Sequence, residues 1–232
     1  MLSVHLRRII ATAVLCAPLF AQPLPKASRP EDVGFSSMRL ETAKAVLQAD
    51  VDAKRLSGAV LLIARNGKVA YYEAVGYQDR AVLTPLKKDS IFRIASMSKP
   101  ITTVAAMILA EENKLDLGAP VAQYLPEFKD VKVGVDGAPP KRPMTVHDLM
   151  RHTSGLTYGV FGNSPVDQMY LKANIFGAKS LEEMVKTIAS LPLLHQPGEF
   201  WEYSVSTDVL GRIVEVASGK DLDTFEIGRA HV

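Results

Sequence analysis

The stretch Ile94-Ala95-Ser96-Met97-Ser98-Lys99-Pro100 runs directly into an apolar-rich segment, Ile101 to Leu115, that reads as a buried helix. A serine three residues ahead of a lysine at the start of such a helix places both side chains on one face. The helix N-terminus carries partial positive charge, which favours the alkoxide form of a serine. A lysine held beside it can take the hydroxyl proton or keep another base ionised. Ser96 is therefore the candidate nucleophile and Lys99 its activating partner. Pro100 lacks an N–H and does least harm in a first turn, so the helix is expected to begin close to Ser96. The spacing occurs once in the chain, and alone it is weak. A helix cap beside a surface lysine gives the same pattern.

Working outward, the 232 residues are 47% hydrophobic and 22% charged, an ordinary globular balance. The formal charge is +2, and setting aside Arg7, Arg8, Glu226 and Arg229 leaves a neutral body. With no basic run, nucleic acid is not expected as a partner. Residues 1–21 read as a signal peptide: Arg7 and Arg8 lead an apolar run from Ile9 to Phe20, and Ala21 is a plausible cleavage point. The run is too short to span a bilayer comfortably, so no stable membrane span is expected after cleavage. Cys16 is the sole cysteine, and the bulky Leu15 before it argues against lipidation. The mature chain is then expected to form neither disulfides nor a thiolate metal site. A periplasmic or secreted bacterial protein is the expected setting. At the other end, residues 226–232 match what a common sequencing adapter encodes, so the natural protein is expected to continue beyond Phe225.

Between these ends, Pro23 to Pro30 reads as an extended strap, and Ser36 or Ser37 as the cap of a helix carrying Leu40, Ala43, Val46 and Leu47. Ala59 to Ala64 and Lys68 to Tyr72 flank Asn66-Gly67, a strong hairpin signal, with Gly76 and Tyr77 continuing the second strand. The first strand is apolar on both faces, which predicts a covered sheet. A short helix is expected over Ala119 to Leu125, and a loop over Val131 to Pro143. Thr145-Val146-His147-Asp148 has capping-box spacing and opens a helix expected to end near Gly155. Residues 157–176 show little periodicity and read as a long loop over a cleft. Leu181 to Leu191 and Thr207 to Ala217 read as helices, with a turn at Pro197-Gly198 between them.

Taken in order, Ser96-Met97-Ser98-Lys99-Pro100, His152-Thr153-Ser154-Gly155-Leu156, Pro197-Gly198 and Tyr203-Ser204 resemble the serine β-lactamase-like hydrolases. That superfamily includes class C β-lactamases, D-alanyl-D-alanine peptidases and family VIII carboxylesterases. The likeness runs from Arg29-Pro30 to Leu222. It implies a β-lactamase/penicillin-binding-protein-like transpeptidase fold: an α/β part begun by residues 22–94 and a mainly helical part over 95–225, incomplete for want of C-terminal strands. It also implies a third catalytic group, Tyr203, matching the tyrosine of the family's Tyr-x-Asn element. An ordinary phenol, with a pKa near 10, is a poor base at neutral pH. Close to a lysine cation its phenolate is favoured, and it can accept the Ser96 proton. A half-buried aromatic beside Trp201 is the plain alternative for Tyr203.

Two departures bear on activity. Val205 stands where class C enzymes carry asparagine, which is nearer the esterase branch. The family's Lys-Thr-Gly, or its His/Trp-Gly-Gly counterpart, has no match; Lys186-Thr187-Ile188 lacks the glycine. That strand donates one of two oxyanion N–H groups, the other being the Ser96 amide, and losing one such donor costs about 10²–10³-fold in turnover. The chain as written is expected to be weakly active or inactive. His147 and His152, five apart, do not share a helix face, so no metal is expected there, and no cofactor-binding motif is found. The expectation is a serine hydrolase that forms an acyl-enzyme on small esters. β-Lactamase or D-amino-acid peptidase activity is the alternative within enzymes. An acyl-binding module without turnover, or an inactive fragment, is the alternative of another class. The partner is a small ester or amide; the oligomeric state is left open.

Overall fold

A computed structural model describes residues 23–227. The expected signal peptide and residues 228–232 of the adapter-like tail lie outside them. Asn66 and Gly67 both take positive φ, 53° and 70°, the conformation that a tight hairpin turn demands and that these two residues tolerate best. The turn joins β1 (Gly58–Arg65) to β2 (Lys68–Asp79) in antiparallel register, with Leu61 opposite Glu73 and Ile63 opposite Tyr71. A two-residue β3 (Thr84–Pro85) completes a sheet of order β1-β2-β3. The proline-rich leader is extended, as expected, and tied to Val69 through the carbonyl of Pro25 and the N–H of Ala27.

The Ser36 hydroxyl caps α1 (Ser37–Asp52) by accepting the Arg39 N–H. Lys44 pairs with Glu73, and the Tyr71 hydroxyl donates to Glu41, so α1 covers the face carrying Leu61 and Ile63. On the opposite face Leu62 is 52% exposed, while Val60, Tyr72 and Ala74 are half-buried. The expectation of a covered sheet is thus met in part among the described residues, since the unit before Ile94 supplies one α-helix for three strands. Val46 likewise points outward, at 58% exposure.

The chain divides into two compact units at Arg93/Ile94. The second is built on two helices, α2 (Ser98–Glu111) and α6 (Ser206–Ser218). Ala105, Ala106 and Leu109 of α2 are wholly buried, as are Val209, Leu210, Ile213 and Val214 of α6. Around this pair lie α3 (Val146–Met150), α4 (Pro165–Ala173), α5 (Leu181–Ala189) and α7 (Leu222–Glu226). The helix expected over Ala119 to Leu125 is a single tight turn, Val121–Gln123. α3 stops well short of Gly155 because the backbone turns left-handed at His152, φ 58°.

The long loop expected over residues 157–176 is corrected by α4. Its start is a complete capping box: the Ser164 hydroxyl accepts the Asp167 N–H while Asp167 accepts the Ser164 N–H. Pro165 occupies the first turn, and Val166 and Tyr170 are buried. Val166 and Tyr170, one turn apart, form the buried apolar face that holds this nine-residue helix. Among the described residues no helix is long and apolar enough to cross a membrane.

Candidate active site

Ser96 sits in a single tight turn, Ala95–Met97, immediately ahead of α2. Ala95 holds a left-handed φ of 47°, unusual for a residue with a β-carbon, and the turn leaves Ser96 exposed. Lys99 follows in the first turn of α2, where Pro100 removes no helical hydrogen bond. The Lys99 Nζ lies 3.3 Å from the Ser96 Oγ. Tyr203 arrives from a segment more than a hundred positions later, just before α6, and its hydroxyl donates to the same Oγ at 2.5 Å. The three residues singled out in the sequence thus converge on one oxygen.

The surroundings tune these groups. The Lys99 ammonium lies 4.9 Å from the Tyr203 ring centroid and 5.5 Å from that of Tyr158. Burial opposes the lysine charge, but hydrogen bonding with Tyr158 and Tyr203 outweighs it and raises the Lys99 pKa. The contacts of Tyr203 with Ser96 and with Lys99 lower its phenol pKa. Burial raises the pKa of Tyr158, against the pull of the lysine. The Asp208 carboxyl, in the first turn of α6, is pushed up by burial and partly held down by Lys99. The site therefore sets a lysine cation beside two phenols whose pKa values are shifted in opposite directions.

The platform below is polar but closed. Ser154, Ser204 and Ser206 are wholly buried, and their hydroxyls form a chain with both O···O distances 2.7 Å. Satisfied this way, they lock the segment carrying Tyr203 against the loop after α3. Val205, flanked by two of these serines, is buried in the hydrophobic core.

A family model described as Beta-lactamase matches residues 43–226. The chain belongs to the beta-lactamase family. Among relatives of this beta-lactamase-family chain, Esterase EstB of Burkholderia gladioli is 39% identical over 181 residues, covering 77% of the chain and 45% of the esterase. The solved structure of EstCE1, a hydrolase with promiscuous acyltransferase activity, superposes with a TM-score of 0.71 at 34% identity, covering 81% of the chain and 49% of that protein. Simvastatin Synthase (LovD) from Aspergillus terreus superposes at 0.63 with 26% identity, covering 81% of the chain and 49% of the synthase. The chain spans about half the length of the relatives it matches.

Within this beta-lactamase-family chain, three further groups surround the trio that spacing did not bring forward as site residues. Tyr158 approaches Lys99, Asp208 bears on it electrostatically, and His152 packs at 5.0 Å against the Tyr203 ring. His152 opens the stretch His152-Thr153-Ser154-Gly155-Leu156 that carries the family resemblance, whereas Tyr158 and Asp208 lie in no such motif. Asp208 falls within the helix expected over Thr207 to Ala217, but no site reading attached to it.

Proposed function

We propose that this protein is a serine carboxylesterase that acts on small esters through an acyl-enzyme on Ser96. The observation that carries the reading is the contact of one hydroxyl with both Lys99 Nζ and the Tyr203 hydroxyl. Tyr203, as phenolate beside the lysine cation, takes the Ser96 proton as Oγ attacks the ester carbonyl. The C–O bond to the leaving alcohol then breaks, and the phenol returns its proton to that oxygen. In the second half Tyr203 accepts a proton from the water that attacks the acyl carbonyl, the bond from that carbon to Ser96 Oγ breaks, and the phenol returns the proton to Oγ. Lys99 keeps its charge throughout and holds the phenolate in place. The esterase relatives support the choice of substrate. So does the buried Val205, which offers no amide for a β-lactam side chain.

The test is hydrolysis of p-nitrophenyl butyrate, with the acyl-enzyme read as a mass increase on the intact protein. Ser96→Ala should lower the rate by at least about 10³-fold and abolish the adduct. Tyr203→Phe should lower acylation by at least about 10²-fold. An adduct that forms equally well on the Ser96→Ala protein removes the reading. Turnover of a chromogenic cephalosporin in place of the ester would assign a β-lactamase, and labelling by a fluorescent penicillin without turnover an acyl-binding module. We further propose export to the periplasm or medium, which cell fractionation would test.

A further inference from the structure

His152 lies just past the end of α3, whose C-cap is Arg151, and its backbone is left-handed at φ 58°. For a residue with a β-carbon that conformation costs about 1 kcal/mol or more, and it persists only where the surroundings hold it. What holds it is the segment on either side of Tyr203. The His152 carbonyl accepts the N–H of Glu202 at 2.8 Å, and its ring Nδ1 accepts the N–H of Ser204 at 3.3 Å. The ring itself lies 5.0 Å from the Tyr203 ring and 6.2 Å, edge-on, from Trp201. The residues before and after Tyr203 are thus pinned to one histidine, with the phenol between the two pins.

We propose that His152 is the positioning residue that aims the Tyr203 phenol at Ser96, and that protonation of its imidazole releases that aim. The inference rests on the proton-transfer role proposed above for Tyr203. Since Nδ1 accepts, the neutral ring must carry its proton on Nε2. An imidazolium has no acceptor, and its Nδ1–H would face the Ser204 N–H. The titratable and charged groups around the ring come from every neighbouring element. Lys99 stands on α2, Tyr203 lies beside the ring, and Tyr158, from the loop after α3, packs against Tyr203. Arg151 and Asp148 on its own segment are paired with each other, and the Glu202 carboxylate is turned to His195. Burial first, and then the Lys99 charge, lower the His152 pKa, so the clamp is closed at neutral pH and opens on acidification.

The sign separates position from charge. A cation at His152 would by itself favour the Tyr203 phenolate and raise acylation in acid. Loss of the clamp lowers it. Histidine NMR of the full chain should show Nε2–H at pH 7, and the phenol resonance of Tyr203 should shift with the His152 titration. Acylation of Ser96 by p-nitrophenyl butyrate should fall through that same midpoint. His152→Asn tolerates the left-handed backbone and sets an amide oxygen where Nδ1 stood. It should keep acylation within about threefold and lose that acid limb. His152→Gln and His152→Ala, lacking an acceptor at that place, should lose about tenfold or more. A proton on Nδ1 at pH 7, an unchanged acid limb in His152→Asn, or wild-type acylation by His152→Ala would each overturn the proposal. If the wild-type chain takes up no acyl group, that counts against the esterase reading and for the inactive fragment weighed from the sequence. The ring tautomer and the Tyr203 resonance then still decide the clamp, an unmoved resonance counting against it.

Discussion

Asp148 shows how much one buried carboxylate can organise. It is wholly buried and accepts from Arg142 Nη1 and Nη2 at 2.6 and 2.9 Å, from the Thr145 N–H at 3.0 Å, and from the hydroxyls of Thr145 and Thr153. Arg151 adds a third guanidinium contact. Burial works against its charge, yet these donors hold its pKa far below the usual carboxylate range. A carboxyl depressed in this way contributes stability above its unfolded pKa of about 4, and that contribution disappears as pH falls through the folded value. Asp148→Asn should therefore cost about 2–3 kcal/mol at pH 7, read by denaturant titration. Its deficit relative to wild type should shrink steadily below pH 4. An equal deficit at pH 7 and pH 2 would refute the assignment. Thr145-x-x-Asp148 was legible as a cap, but the arginine and Thr153 contacts join residues that no spacing connects. The same holds at the active site. Ser96 and Lys99 were legible because one turn of helix relates them, whereas Tyr203 was reached through the family resemblance, and Tyr158 and His152 approach it through tertiary packing.

At the scale of elements, backbone hydrogen bonds join the loop after α3 to the segment leading to Tyr203, in addition to the serine hydroxyl chain. Gly155 accepts the N–H of Leu194 at 2.7 Å, and the Gly198 N–H donates to the Thr153 carbonyl at 2.7 Å. Gly155 takes φ 88°, and a β-carbon there would sit 2.2 Å from the His195 carbonyl oxygen. Neither strain nor clash can be relieved without parting the two segments. Gly155→Ala should then lose at least about 2 kcal/mol in thermal or denaturant unfolding, with acylation falling alongside as Tyr203 moves. A variant as stable as wild type would show that the segments tolerate separation. The hairpin at Asn66-Gly67 was legible because both turn residues take positive φ and apolar strand-forming runs flank them. α4 was missed for the opposite reason. Its nine residues bury one narrow face, and the capping box Ser164-x-x-Asp167 was the sole strong signal of its start.

Across the molecule, burial is divided unequally between the two units. The main hydrophobic cluster draws its buried residues from Ala105 to Phe225, all beyond the break at Arg93/Ile94. Before the break, the buried apolar side chains among the described residues are Val33, Leu40, Val51 and Val75. A cooperative transition needs enough buried apolar surface to offset the conformational entropy of ordering, and a three-stranded sheet with one helix and four buried side chains supplies little. Residues 94–227 made alone should therefore unfold in one cooperative thermal transition, while residues 23–93 made alone should melt gradually or not fold. Leu210, wholly buried on α6, is the internal control. Leu210→Ala should cost about 2–5 kcal/mol in the full chain and by the same amount in the 94–227 fragment, since the neighbours that lose contact are all within it. Circular dichroism melts of the two fragments and of this variant in both contexts would check the division. If the 94–227 fragment lacks a cooperative transition, the helical unit draws its stability from outside its own core.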